Sequence, residues 1–291
     1  MEELPRGPTA NLTETKSVTI QAEPRTTPLF VLHILATCVI SLYISGVFWA
    51  GQSLLTVNES IGFDEQIVIS LATASIILYV VTILIRKRKV TKVKPWVLYL
   101  VTAGLYFFAL DNVLTAFVDG NSALILSVSV AAFYFLCANF PHTIESKIGL
   151  PLLTIILSVS IVLPFVLFLP LLVIGLISVG YGLYDIFAVF WGPLGKLIAS
   201  LKDQKKLDLL RYSGLVTPIR GRMLGLGDSV FYSLLFSSVY LNLGRLAGVL
   251  SLAGIILGFL LTFKLAKSKP MPALPLSVAL GLGFALVGMS I

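Results

Sequence analysis

The chain has 291 residues, of which 57% are hydrophobic and only 12% are charged, and its formal net charge is +7. Soluble domains are about 45–50% apolar and about 25% charged, so this composition excludes a soluble or a disordered protein. The basic residues separate long apolar runs and do not form one cluster, which argues against nucleic-acid binding. This arrangement is typical of the loops of a polytopic membrane protein.

Nine apolar segments approach the length of about 20 residues that a helix needs to cross a bilayer. We therefore predict an all-α membrane protein with spans at 29–50, 66–85, 96–117, 122–140, 148–165, 169–191, 223–243, 246–264 and 271–290. Between the fifth and sixth spans we place a tight turn, bracketed by Pro164 and Pro170. One long kinked helix is the alternative for this continuously apolar stretch.

The basic residues also predict the orientation of the spans. If the N-terminus is cytoplasmic, 20 of the 21 lysines and arginines fall on the cytoplasmic side, and Arg245 is the exception. Such an excess is typical of cytoplasmic loops. We expect an extracytoplasmic C-terminus and three regions: a polar cytoplasmic tail over 1–28, five N-terminal helices over 29–168 and four further helices over 169–291.

The sequence contains few residues suited to metal or redox chemistry. It has two histidines and two cysteines, and both Cys38 and Cys137 lie inside apolar runs. Cysteines in such surroundings are typically buried core residues. We therefore predict neither a metal site nor a cofactor.

Three acidic residues fall within predicted spans: Asp111, Asp185 and Asp228. An ionisable group in a bilayer is costly unless it is neutral, paired or hydrated, so function is the default hypothesis for each. Asp185 lies near the cytoplasmic end of the sixth span and Asp228 near the cytoplasmic start of the seventh. In antiparallel helices the two carboxyl groups would face each other at similar depth. Asp111 lies near the outer end of the third span, where a polar residue close to the interface is the simpler interpretation.

Three short motifs surround the two cytoplasmic-side aspartates. Tyr184 precedes Asp185, the sequence Gly225-Leu226-Gly227 precedes Asp228, and Pro272-Ala273-Leu274-Pro275 opens the last span. Each motif alone has an ordinary explanation: a headgroup anchor for the tyrosine, close helix packing for the glycines and a helix start for the prolines.

In this order the three motifs resemble the presenilins, the intramembrane aspartyl proteases with a GxGD motif that belong to a superfamily with the signal peptide peptidases. The resemblance covers about 180–291 and includes Phe231-Tyr232-Ser233 and the sequence PALPLS at 272–277. It implies a nine-helix presenilin-like fold. It also implies that Asp185 and Asp228 are the catalytic residues. The substrate-binding residues that it implies are Tyr184, Gly225, Leu226, Gly227, Pro272, Ala273 and Leu274.

The expected orientation favours the presenilins, because signal peptide peptidases lie in the membrane the other way round. The small size suggests a microbial, archaeal homologue. The resemblance implies that the substrates are transmembrane helices of single-pass proteins in the lipid bilayer. Their unwound peptide would be held as a strand by 215–219 and 271–274. Two carboxyl groups sharing one proton, with a water between them, would hydrolyse the peptide bond.

A proton-coupled secondary transporter or an ion channel is the alternative function, because such proteins also use paired membrane aspartates and glycine-broken helices. The sequence leaves open the natural substrate, the cleavage position, helper subunits and the oligomeric state. It also leaves open whether self-cleavage occurs in the short loop over 192–222.

Overall fold

The computed structural model describes residues 26–55, 95–115, 118–140, 143–191, 213–214, 216–219, 222–266 and 271–291. In these ranges the chain forms eight helices and a hairpin: α1 (Thr27–Leu55), α2 (Pro95–Leu114), α3 (Gly120–Asn139), α4 (Ile144–Phe168), α5 (Leu171–Phe190), β1 (Val216–Ile219), β2 (Arg222–Gly225), α6 (Leu226–Leu243), α7 (Arg245–Leu265) and α8 (Leu274–Ser290). The predicted helical architecture is confirmed for these residues.

Several helices have the length and composition of membrane spans. Among the described residues, six qualify, namely α1 to α5 and α7, and α8 is a shorter apolar helix. The chain is therefore a multi-pass integral membrane protein. The predicted count of nine spans is not confirmed, because α6 and α8 do not qualify and the span at 66–85 lies outside the described residues. Most of the tail over 1–28 also lies outside them.

The helix α6 occupies the centre of the bundle. One side of it packs against α4, and Leu226, Val230 and Leu234 belong to the apolar cluster that α4 forms with α2 and α3. Its other side packs with α1, α7 and α8, where Tyr232 and Leu235 are buried. Four serines of α6 are buried within the bundle. The hydroxyls of Ser233 and Ser237 are hydrogen-bonded, whereas those of Ser229 and Ser238 have no partner among the described residues.

Two connections between consecutive helices are very short: the one between α4 and α5 and the one between α6 and α7. Pro164 lies inside α4, which continues to Phe168, and the chain turns at Leu169 and Pro170. A proline disfavours the helical conformation in the residue before it, so Pro170 ends α4. The predicted tight turn is confirmed, although it falls later than Pro164. The single residue between α6 and α7 is Gly244, whose φ of 96° suits glycine.

An antiparallel hairpin precedes α6. Its register pairs Val216 with Gly225 and Ile219 with Arg222. The expectation that the seventh span begins at 223 is wrong, because 223–225 pair with β1 and the helix begins at Leu226. The other segment expected to hold a substrate strand, 271–274, is itself irregular over 271–273, and Leu274 is the first residue of α8. The N–H groups in the first turn of a helix have no partner within the helix. Pro275 lacks an N–H, so it suits a position in the first turn of α8.

The two cysteines are core residues. Both Cys38 and Cys137 are buried and free of disulfides. Cys137 belongs to the cluster that α2, α3 and α4 form with α6, and Cys38 belongs to the cluster that includes α1, α7 and α8. The prediction of their role is therefore confirmed.

Candidate active site

The two aspartates lie on neighbouring helices, each near a helix end. Asp185 is five residues from the C-terminal end of α5, and Asp228 is in the first turn of α6. Both are partly exposed. Along the helix axis Asp228 is only about 3 Å from the start of α6, because the hairpin replaces the helical turn that the sequence predicts before Leu226.

An aromatic contact sets how α5 and α6 face each other. The ring centroids of Tyr181 and Phe231 are 4.5 Å apart. Tyr181 is four residues before Asp185 and Phe231 is three residues after Asp228, so each ring shares a helix face with an aspartate one turn away. The two aspartates therefore lie on the faces through which α5 and α6 pack together.

The first glycine of the GxGD motif makes room for the carboxyl group. A Cβ placed on Gly225 would lie 3.1 Å from Oδ2 of Asp228, which is tighter than ordinary contacts. Gly227 is different: it is exposed, and a Cβ there would meet nothing within 4 Å. The close helix packing suggested for the two glycines is therefore not observed among the described residues, because the group that approaches Gly225 is the aspartate of the same motif.

The third motif reaches the site through its backbone. The N–H of Leu274 donates a hydrogen bond of 3.2 Å to Oδ2 of Asp185. Gly182, three residues before Asp185, faces this segment, and a Cβ on it would make an ordinary contact of 3.4 Å with Cα of Pro275. The start of α8 is thereby held against the face of α5 that carries the aspartate.

The other residues that the sequence suggests for substrate binding differ in accessibility. Leu226, Pro272 and Leu274 are buried, whereas Tyr184 is 58% exposed. The ring of Tyr184 packs edge-on against Tyr181, with centroids 6.3 Å apart. The structure therefore leaves Tyr184 and Gly227 accessible to a substrate, and the three buried residues support the backbone around the aspartates.

The third membrane aspartate lies apart from these motifs. Asp111 is on α2, which packs against α3 and α4. Its Oδ1 is buried and has no hydrogen-bond partner among the described residues. The elements that carry the three motifs are α5, β2, α6 and the start of α8, so Asp111 is no part of the site.

Sequence reasoning missed three residues that shape the site: Gly182, Tyr232 and Ser277. Tyr232 and Ser277 lie within stretches that already match the presenilin pattern, and each is close in sequence to a motif residue. The spacing of Tyr232, four residues after Asp228, is the signal that points to it, because residues at this spacing share a helix face.

A buried polar network lies beside the hairpin. Thr217 of β1 is 2.8 Å from Thr154 of α4, measured between the two Oγ1 atoms, and its Oγ1 is 3.3 Å from Nε2 of His33 on α1. All three side chains are buried. The network ties β1 to two helices and so fixes the segment that leads into the GxGD motif.

The chain shares its fold with presenilin-family proteases of known structure. No protein-family model and no curated protein matches the chain. One solved structure, described as a presenilin family intramembrane aspartate protease in space group C222, is 14% identical and has a TM-score of 0.55. The match covers 91% of this chain and 98% of that one.

A second structure with the same description, in space group P2, is 16% identical with a TM-score of 0.53. The match covers 92% of this chain and 98% of the chain in the second structure. The structural neighbours of the chain are therefore presenilin-family intramembrane aspartate proteases, and at this level of identity the similarity shows a common fold.

Proposed function

We propose that the chain is an intramembrane aspartyl endopeptidase of the GxGD type, which hydrolyses peptide bonds within transmembrane helices and uses Asp185 and Asp228 as its catalytic pair. The observation that supports this most is the packing of α5 on α6 through Tyr181 and Phe231, one turn from each aspartate. The fold supports the same activity, because both neighbours are described as aspartate proteases.

Two carboxyl groups that share one proton supply both a base and an acid. The ionised carboxylate takes a proton from a water molecule as the water oxygen attacks the peptide carbonyl carbon. The neutral carboxyl group gives its proton to the carbonyl oxygen, which yields a tetrahedral diol. The C–N bond then breaks as the first group protonates the nitrogen and the second recovers a proton from a diol hydroxyl. Both carboxyl groups return to their initial state, and the shared proton belongs to the pair and to neither residue alone.

A substrate helix must unwind before it can react, because its carbonyl groups are engaged in its own hydrogen bonds. The hairpin that leads into α6 has two strands, so each strand has one edge without a strand partner. An unwound peptide in an extended conformation can add to such an edge. Pro218 of β1 has no N–H, which restricts pairing at that position. The substrate region therefore comprises the edges of the hairpin, the segment 271–274 and the exposed Tyr184.

The basic residues support a site near the cytoplasmic surface. A one-residue connection joins α6 to α7, and the two helices pack together, so they run antiparallel. Lys264 at the end of α7 therefore lies at the same end of the pair as Asp228, and Arg245 at the opposite end. With the positive-inside rule this supports an extracytoplasmic C-terminus, and with nine spans the N-terminus would be cytoplasmic. The region 169–291 would carry out catalysis, and the helices within 29–168 would form the rest of the bundle.

The proposal is tested with the purified chain in proteoliposomes and a fluorescent transmembrane peptide. Cleavage is expected from the wild-type protein and should disappear in Asp185→Ala, in Asp228→Ala and in the presence of a diol-mimicking aspartyl protease inhibitor. Proton and cation flux are measured on the same vesicles. Flux that survives both substitutions, without cleavage in any sample, would contradict the proposal and favour a transporter or channel.

A further inference from the structure

One peptide group near the site is hydrogen-bonded at both ends. It is the group between Ala273 and Leu274, at the start of α8. Its N–H donates to Oδ2 of Asp185 at 3.2 Å. Its carbonyl oxygen accepts from the hydroxyl of Tyr232 at 3.2 Å, and Oγ of Ser277 lies at the same distance from that oxygen. The group therefore connects a side chain of α6 to the aspartate of α5.

Tyr232 is well placed for this contact. It follows Asp228 by four residues on α6, hence on the same helix face, and its side chain is only 1% exposed. Its hydroxyl both donates to the carbonyl of Ala273 and accepts from Oγ of Ser277 at 3.2 Å. A buried hydroxyl needs such partners, and here they lie on the segment that binds Asp185.

We propose that Tyr232 is a positioning residue that orients the carboxyl group of Asp185 through the Ala273–Leu274 peptide group. This inference rests on the proposed protease function. A peptide group is planar and rigid, so fixing its carbonyl also fixes the direction of its N–H. Hydrogen bonds in such a chain also polarise and strengthen one another.

The orientation has a consequence for the shared proton. Oδ2 of Asp185 accepts the Leu274 N–H. The carbonyl oxygen of a carboxyl group is a better acceptor than its hydroxyl oxygen, so this hydrogen bond favours the carboxyl proton on Oδ1. Oδ1 is then the oxygen available to water and to Asp228. Without the Tyr232 hydroxyl the Ala273 carbonyl keeps only the Ser277 donor, so the peptide group is held less firmly and either oxygen of Asp185 can turn towards Asp228.

Tyr232→Phe removes only the hydroxyl and keeps the buried ring. We expect kcat to fall about 10-fold, the equivalent of about one hydrogen bond, while KM changes less than about twofold. Tyr232 is only 1% exposed, so its hydroxyl does not touch the substrate directly and substrate binding should be retained. A KM that rises with unchanged kcat would contradict the positioning role.

Ser277→Ala provides a second variant with little effect on packing. Its Oγ has a single proton and can donate to Tyr232 or to Ala273, but not to both at once. In Tyr232→Phe the serine can still donate to the Ala273 carbonyl, whereas in the double variant that carbonyl loses both donors. We therefore expect a small effect of Ser277→Ala alone, and a double-variant loss of kcat greater than the product of the single losses.

The experiment measures kcat and KM for peptide cleavage by the wild type, Tyr232→Phe, Ser277→Ala, the double variant and the control Tyr240→Phe, along with their thermal unfolding. Tyr240 is on the same helix, and its ring lies edge-on to Phe236. Tyr240→Phe should leave kcat unchanged.

If the wild type cleaves and both aspartate variants do not, the protease function stands. Tyr232→Phe with wild-type kcat would then overturn this inference alone. Additive effects of Tyr232→Phe and Ser277→Ala would also overturn it. Absence of cleavage by the wild type would overturn the protease function and this inference together.

Discussion

At the level of single residues, the missing side chain of Gly225 determines where the carboxyl group of Asp228 can lie. The backbone of Gly225 is extended, with φ of −65° and ψ of 139°, so any residue could adopt it. The glycine is therefore required for space and not for its backbone conformation. This separates it from Gly244, whose positive φ is the reason for a glycine between α6 and α7.

Gly225→Ala should lower kcat by about 10-fold or more. Its Cβ would lie 3.1 Å from Oδ2 of Asp228, so the carboxyl group must move, and small displacements of a catalytic group cost up to about 100-fold. Steady-state cleavage kinetics measure the effect. Gly104→Ala on α2 is the matched control, because a Cβ there meets nothing within 4 Å. Equal kcat for both variants would contradict the spatial role of Gly225.

At the level of elements, the hairpin is the feature that sequence reasoning did not foresee. The four residues of β2 continue into the apolar sequence of α6, so hydrophobicity alone assigns 223–225 to the helix. Strands of this length form only with a partner, and the partner here is β1. The segment 215–219 came to notice only through the presenilin resemblance, and the network on Thr217 depends on side chains of α1 and α4 that are distant in sequence.

Thr217→Val should destabilise the protein and weaken substrate binding. Valine keeps the shape of threonine but leaves the buried Thr154 and His33 side chains without this partner. Loss of a buried hydrogen-bond partner costs about 1–3 kcal/mol. We expect a lower thermal unfolding temperature and a higher KM. Thr115→Val, at an exposed site, is the control. If Thr217→Val unfolds at the same temperature as the wild type, the network does not hold the hairpin.

At the level of the whole molecule, α7 holds α8 in place through very close packing. Cβ atoms added to Gly254 or Gly258 would collide with the backbone of α8, at Leu280 and at Ser277 respectively. Small residues four apart allow helices in a membrane to approach in this way. Because α8 begins with the peptide group that binds Asp185, packing far from the substrate bears on the geometry of the site.

Gly258→Ala should lower both stability and cleavage. The new Cβ would lie 2.5 Å from Cα of Ser277, one turn from Leu274, so α8 must shift. Overpacking of this kind typically costs about 1–3 kcal/mol. Thermal unfolding and cleavage rate report the two effects. Gly283→Ala on α8 has open space around its Cβ and serves as control. Wild-type activity with reduced stability would show that the α7–α8 contact does not control the site.

The bundle as a whole was predictable from hydrophobicity, since eight of the predicted spans coincide with described helices. The two aspartates were predictable as well, because ionisable residues are rare in membrane spans. Tyr232 and Gly182 were not, because a buried tyrosine and a helical glycine are common in any bundle. Their roles depend on which helices pack together, and the spacing of apolar residues does not encode this.

Mass-spectrometric mapping of the products from a single-span transmembrane peptide tests the central claim most directly. The wild type and the control Asp111→Ala should yield the same fragments, with the new termini inside the apolar segment. Asp185→Ala and Asp228→Ala should each yield only intact peptide. Fragments from either of these two variants, or intact peptide alone from the wild type, would contradict the assignment of the catalytic pair.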